Sequence, residues 1–199
     1  MIKKTIESSA EILEAISKRW SGVAFDPARP VSKQQLSALL EAARWAPSCF
    51  GDQPWRFIVC DKTENPEAWQ KLFDCLMEGN QAWCKNVPVL IAACHDTLFS
   101  MNDQPNGLAA YDTGAASVSL CLQAADLGLM SHQMAGFSAA LVSEKFEVPE
   151  RYKAIATIAI GYQLPKDEIP SEFKERELAP RKRNPLSDNF FMGTWGGKS

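Results

Sequence analysis

The chain has 199 residues, of which 46% are apolar, 10% aromatic and 23% charged. These are globular values with room for a sizeable core, and they exclude a disordered or fibrous chain. Lys and Arg number 21 against 24 Asp and Glu, a net charge of −3, so nothing favours a general affinity for nucleic acid or an anionic membrane. One domain is the default at this length.

Residues 8–19 read as a helix with Ile12, Leu13 and Ile16 on one face and Ser8 or Ser9 as N-cap. The turn FDPARP interrupts it. Ser32 and Gln35 form a capping box that opens a second helix through Leu36, Leu39, Leu40 and Ala43, ended by Pro47. A loop, SCFGDQP, leads into the strand WRFIVC. Asn65-Pro66 starts a helix carrying Trp69, Leu72, Phe73 and Leu76, and Pro88 to Cys94 reads as a strand buried on both faces.

The stretch from Leu108 to Leu127 is apolar on nearly every side. It predicts a helix central to the core or to an interface, closed by Gly128 as C-cap. Asp112, Gln123 and Asp126 within it argue against a membrane span. Residues 138–146 predict a short helix and 155–163 a buried strand. The tail from Pro165, with four prolines and many charges over 165–185, reads as a surface connection or an arm reaching another subunit. Strands separated by helices, without hairpin signals, argue for an α+β or α/β layer fold.

The six cysteines, Cys49, Cys60, Cys75, Cys84, Cys94 and Cys121, contain no Cys-x-x-Cys pair, and His95 and His132 are the two histidines. A zinc site is therefore not expected. Residues 1–20 lack a secretory apolar run, and several cysteines sit in apolar stretches, which points to a reducing cytoplasm. Glycine-rich nucleotide loops, a Gly-x-Ser-x-Gly elbow and His-Glu-x-x-His are missing from the sequence.

Three segments suit an anionic, aromatic ligand. KRWS (18–21) offers a guanidinium and a hydroxyl to phosphate, or simply a charged helix end. APSCFGDQPW (46–55) offers backbone amides and Gln53 to a heterocycle, or is only a tight connection. PRKRNP (180–185) is a compact positive patch.

In this order, and with AYDTGAASVSLCLQAADLGL, MAGF and IATIAIGY between them, these segments resemble the FMN-dependent nitroreductase family over roughly residues 10–195. The resemblance implies an α+β, three-layer fold: a central mixed, mainly antiparallel sheet flanked by helices, in an intertwined homodimer. It implies one domain over 1–199, with 164–199 an arm on the partner subunit. Arg19, Ser21, Arg181 and Arg183 would hold the FMN phosphate, with Trp20 adding backbone contacts. Pro47, Ser48, Cys49 and Gln53 would line the isoalloxazine, Asn80 would bond the ring or ribityl chain, and Ala135 and Gly136 would bring backbone amides near it. Each FMN site would be built from both subunits. The sequence departs from the family's pattern at Val23, where a phosphate-facing base is frequent, at Gly51 (Asn), at Ala135 (an acidic residue) and at Trp83 (Lys).

The implied activity is a ping-pong oxidoreductase in which NADH or NADPH reduces FMN, which then reduces a nitroaromatic, quinone or related acceptor. The chemistry lies on the flavin, so no side-chain nucleophile or acid–base pair is required. Phe50, Trp83 and Phe99 are candidates to line the acceptor slot. The alternatives are a reductase of another small electrophile on the same fold, a deiodinase-like or flavin-fragmenting enzyme, a non-catalytic FMN binder or redox sensor, and a flavin-free thiol protein using Cys49.

Overall fold

The structure, a computed structural model, describes Ile2, Lys4 and residues 6–197. Four strands, β1 (Trp55–Asp61), β2 (Val89–Asp96), β3 (Met130–Met134) and β4 (Tyr152–Gly161), form one sheet in the order β1-β2-β4-β3. Every pairing is antiparallel, although helices connect the strands: Ile58 faces Ala92, Ala92 faces Thr157, and Met134 faces Thr157. The central strands are buried on both faces, as the continuous apolar run Pro88–Cys94 predicts.

The helices are α1 (Glu14–Lys18), α2 (Lys33–Arg44), α3 (Pro66–Phe73), α4 (Glu78–Cys84), α5 (Ala109–Asp126), α6 (Ala139–Lys145), α7 (Ser171–Leu178) and α8 (Leu186–Asn189). On one face of the sheet, Leu39 and Ala43 of α2 and Ala116, Leu120 and Ala124 of α5 pack with Ile91, Ile158 and Ile160. On the other, Trp69 and Leu72 of α3, Trp83 of α4 and Val142 of α6 pack with Leu90, Ala92 and Ala159. The result is the three-layer α+β arrangement expected, with two apolar layers sandwiching a sheet that, among the described residues, is wholly antiparallel rather than mixed.

Local chemistry fixes the elements as read from the sequence in most places. The Ser32–Gln35 capping box is formed in both directions and starts α2. Gly128 takes φ of 74° just after α5, the left-handed conformation a glycine C-cap supplies.

Four readings change. The first helix is five residues long, begins after Leu13 rather than at Ser8 or Ser9, and leaves Ile12, Leu13 and Ile16 exposed. Leu76 lies beyond α3, bridged to Phe137. Asn80 sits inside α4, a helix that the sequence reading above does not include. The charged tail contains α7, anchored on this same chain, as the site below shows. The last two residues of the expected arm, Lys198 and Ser199, lie outside the described residues. Among the described residues, no helix is long and apolar enough to cross a membrane.

Candidate functional site

Arg19, Trp20 and Ser21 follow α1 and meet the far end of the chain. Together with Lys4, Arg176, Arg181 and Arg183 they line a pocket of about 280 Å³. Five cationic side chains thus converge in a chain whose net charge is −3. The Nη groups of Arg181 donate to the carbonyls of Arg19, Lys4 and Ser17, tying both termini to the pocket wall. Its Nε is buried with no hydrogen-bond partner among the described residues. Lys4 Nζ reaches the carbonyl of Ala179 at 2.8 Å and lies 3.8 Å from the Trp20 ring centroid.

The cations are mutually unfavourable as they stand. Burial lowers the pKa of Arg181, and the charges of Arg19 and Arg183 lower it further. Burial also lowers that of Lys4; Glu177 opposes the shift and Arg181 adds to it. A buried guanidinium N–H lacking an acceptor, among like charges, is the donor set a phosphate dianion satisfies. The residues present fit the phosphate of a flavin mononucleotide.

Glu177 of α7 fixes this segment from behind. Its side chain is fully buried, and Oε1 accepts from the backbone N–H groups of Val23 and Ala24 while Oε2 accepts from Gln163 Nε2 at 2.7 Å. Gln163 Oε1 in turn accepts from Ile2 N. Val23 itself is buried in the core rather than facing the pocket, and Lys4 and Arg176 supply the charge that a base at that position would have given. Neither stands in a recognisable motif, because no local pattern joins residue 4 to residue 176.

Asn80, Ala135 and Gly136 also come together. The carbonyl of Gly136 accepts from Asn80 Nδ2 at 2.9 Å and from Met77 N at 3.0 Å. A Cβ at Gly136 would stand 2.7 Å from Asn80 Nδ2, so the glycine is needed for close approach. This cluster follows β3, and the cationic pocket is tied to the same strand through His132, whose Nδ1 contacts the carbonyl of Gly22 at 2.8 Å. His132 also stacks on Trp83, which stacks on Phe25. Trp83 is therefore a core residue and does not line an acceptor slot. Burial lowers the pKa of His132; the Gly22 carbonyl opposes that shift.

Pro47, Ser48, Cys49 and Gln53 occupy the loop before β1. Cys49 N donates to the buried Asp112 at the start of α5, and Gln53 N donates to Ser48 Oγ, both at 3.0 Å. β1 and β3 are opposite edges of the sheet, three strand spacings or about 14 Å apart. One chain therefore gathers the predicted residues into two groups: the cationic pocket with the Asn80 cluster on the β3 edge, and the 47–53 loop on the β1 edge.

All six cysteines are free, and all but Cys49 are buried. Burial, with Cys75 beside it, pushes Cys60 up to about 11, and burial pushes Cys94 up to about 11. Such thiols stay protonated and inert near neutrality. Among the described residues, no group of three or more His, Cys, Asp or Glu is placed to hold a metal.

Residues 16–162 match the Nitroreductase family model, and the chain belongs to that family. It is similar to the major NAD(P)H-flavin oxidoreductase of Aliivibrio fischeri, 34% identical over 45% of this chain and 38% of that protein. A crystal structure of an oxidoreductase containing FMN is 38% identical, covers 96% of both chains and superposes with a TM-score of 0.87. A nitroreductase family protein from Clostridium difficile 630 is 27% identical over 93% of this chain and 99% of its own, with a TM-score of 0.71.

Proposed function

We propose that this member of the Nitroreductase family is an FMN-dependent oxidoreductase that uses NADH or NADPH to reduce nitroaromatic, quinone or related acceptors. The observation that carries the reading is the cationic pocket around Arg19, Ser21, Arg181 and Arg183, where the buried Nε of Arg181 has no partner among the described residues. FMN, when bound, supplies the hydride chemistry, taking two electrons and a proton from the nicotinamide and passing them to an acceptor that binds after the donor leaves.

This chain's residues bind and orient. Arg19, Ser21 and Arg183 hold the phosphate, Arg181 adds charge while clamping the two termini, and Trp20 frames the pocket. Asn80 and the backbone of Ala135 and Gly136 meet the flavin on the β3 edge. Pro47, Ser48, Cys49 and Gln53 close over it from the β1 edge of a second copy, because the two edges of one sheet are too far apart to touch one ring.

Exposed apolar side chains support that homodimer: Leu13 just before α1 and Ile16 on it, Tyr111 and Val118 on α5, and Phe190 and Trp195 on the arm over 164–199. The reading keeps 1–199 as one domain, and the free thiols suit a reducing cytoplasm.

The test is the absorbance spectrum of the purified protein with anaerobic addition of NADH and NADPH. Oxidised-flavin bands that bleach are expected, and Arg19→Gln and Arg183→Gln should each weaken FMN by about 10- to 100-fold, the value of a charge-assisted hydrogen bond. Bands that do not bleach would move the protein to a flavin binder or redox sensor. A colourless protein that cannot be loaded with FMN would overturn the proposal.

A further inference from the structure

Non-glycine residues at positive φ are uncommon and cost about 1–3 kcal/mol each, so a cluster of them marks a place held for a purpose. Among the described residues there are four: Phe50 at 54°, Gln53 at 50°, Asp103 at 54° and Glu147 at 52°. Three of these lie in two loops that touch, residues 48–53 and 97–106.

Asp52 joins the loops. Its Oδ1 accepts from both N and Oγ of Ser100, and its Oδ2 faces Asn106 Nδ2 at 3.4 Å. The second loop is also pinned at its base, where Arg151 Nε donates to Asp96 at 2.7 Å and its Nη1 to Asp103 at 2.8 Å. The bridge between Leu98 and Pro105 closes it.

This scaffold presents an aromatic pair. Phe50 is 81% exposed, and its ring meets that of Phe99 edge to face, 5.9 Å between centroids and 67° between planes. A large apolar ring standing in water on a strained residue serves neither the core nor the loop's own stability. It immediately follows Pro47, Ser48 and Cys49, the loop proposed above to cover the flavin.

We infer that Phe50 and Phe99 form an aromatic platform that takes the ring of a planar aromatic electron acceptor, and that Asp52 is the positioning residue that fixes it. The inference rests on the FMN reading above. The edge-to-face pair leaves ring faces open for an incoming π-system, whereas a small inorganic oxidant gains nothing from them.

The experiment compares a naphthoquinone with ferricyanide as acceptor, using the holoenzyme. In Phe50→Leu and Phe99→Leu, the naphthoquinone-to-ferricyanide ratio of kcat/KM should fall about 3- to 10-fold, mainly through KM of the quinone. Binding of the non-reducible 2-naphthoate, read as a perturbation of the flavin absorbance, should weaken by the same factor. Asp52→Ala should reproduce both effects and speed amide hydrogen exchange at Ser100, while Asp52→Asn, which keeps one acceptor oxygen, restores most of the ratio. An unchanged ratio, with equal loss on both acceptors or none, overturns the inference. So does a shift of Phe50→Leu towards monomer in size-exclusion chromatography with the ratio unchanged, which would make Phe50 a contact between copies. Wild-type protein whose flavin bands fail to bleach with NAD(P)H would instead defeat the parent reading.

Discussion

Removal of the Glu177 carboxylate tests how the segment proposed to bind phosphate is held. In Glu177→Ala three buried donors lose their acceptor at once: the N–H groups of Val23 and Ala24, and Gln163 Nε2. A buried donor left unsatisfied costs about 1–3 kcal/mol. Relief of the carboxyl group's own burial cost offsets part of the sum, which leaves about 3–5 kcal/mol out of a typical total of 5–15 kcal/mol. Glu177→Gln keeps one carbonyl oxygen for the two backbone donors but turns an NH₂ towards Gln163. Flipping the Gln163 amide would satisfy that contact at the expense of the bond its oxygen accepts from Ile2 N. About 1–2 kcal/mol is expected for the amide variant. Urea unfolding followed by tryptophan fluorescence measures both, and FMN titration of the folded fraction should show weaker binding in the same order, since Ser21 precedes Val23 by two residues. A loss below about 1 kcal/mol for Glu177→Ala, or equal losses for the two variants, would refute the view that the carboxylate's two oxygens each hold a separate part of the fold.

Two further outcomes follow from the β3 edge. Gly136→Ala places a Cβ 2.7 Å from Asn80 Nδ2 and must displace the side chain that bonds the Gly136 carbonyl. FMN affinity should fall about 10-fold by fluorescence titration, the value of one to two neutral hydrogen bonds, and an unchanged affinity would remove Asn80 from the site. His132 has its pKa lowered below 6.5 by burial, with Arg176 and Arg19 pushing the same way and the Gly22 carbonyl and Glu177 opposing. Its folded pKa lies below its unfolded one, so its contribution is complete above pH 6.5 and is lost as pH falls through the folded value. The Tm should decline from pH 7 to pH 5, and His132→Asn, which retains a donor for the Gly22 carbonyl, should flatten that decline; an identical slope in the variant would assign it to other groups.

Elements whose stability comes from a continuous apolar pattern were legible in the sequence, and those held by a single distant contact were not. α2, α5, β2 and β4 announce themselves through a capping box, an all-round apolar face and unbroken aliphatic runs. β3 spells Met-Ser-His-Gln-Met, and its polar Ser131 and His132 are buried through distant partners, with β3 paired to β4 and the His132 ring set between Trp83 and the Gly22 carbonyl. α7 is polar on almost every side, as its sequence SEFKEREL requires, and is docked through Glu177, a residue that reads as one more solvated charge in a charged run. The same division runs through the site. Arg19, Ser21, Arg181 and Arg183 stand in short motifs that resemblance to a family identifies. Lys4 and Arg176 join them only through the folding of both termini onto one pocket, a separation of 172 residues that no local pattern bridges. Phe50 and Asp52 lie inside a recognised loop, yet the sequence gives no sign of the positive φ at Phe50 or of the partner that Asp52 finds at Ser100. Family motifs therefore mark the residues proposed to hold the cofactor, while those that fix the surroundings of these motifs in this chain emerge from long-range hydrogen bonds made by ordinary-looking acids.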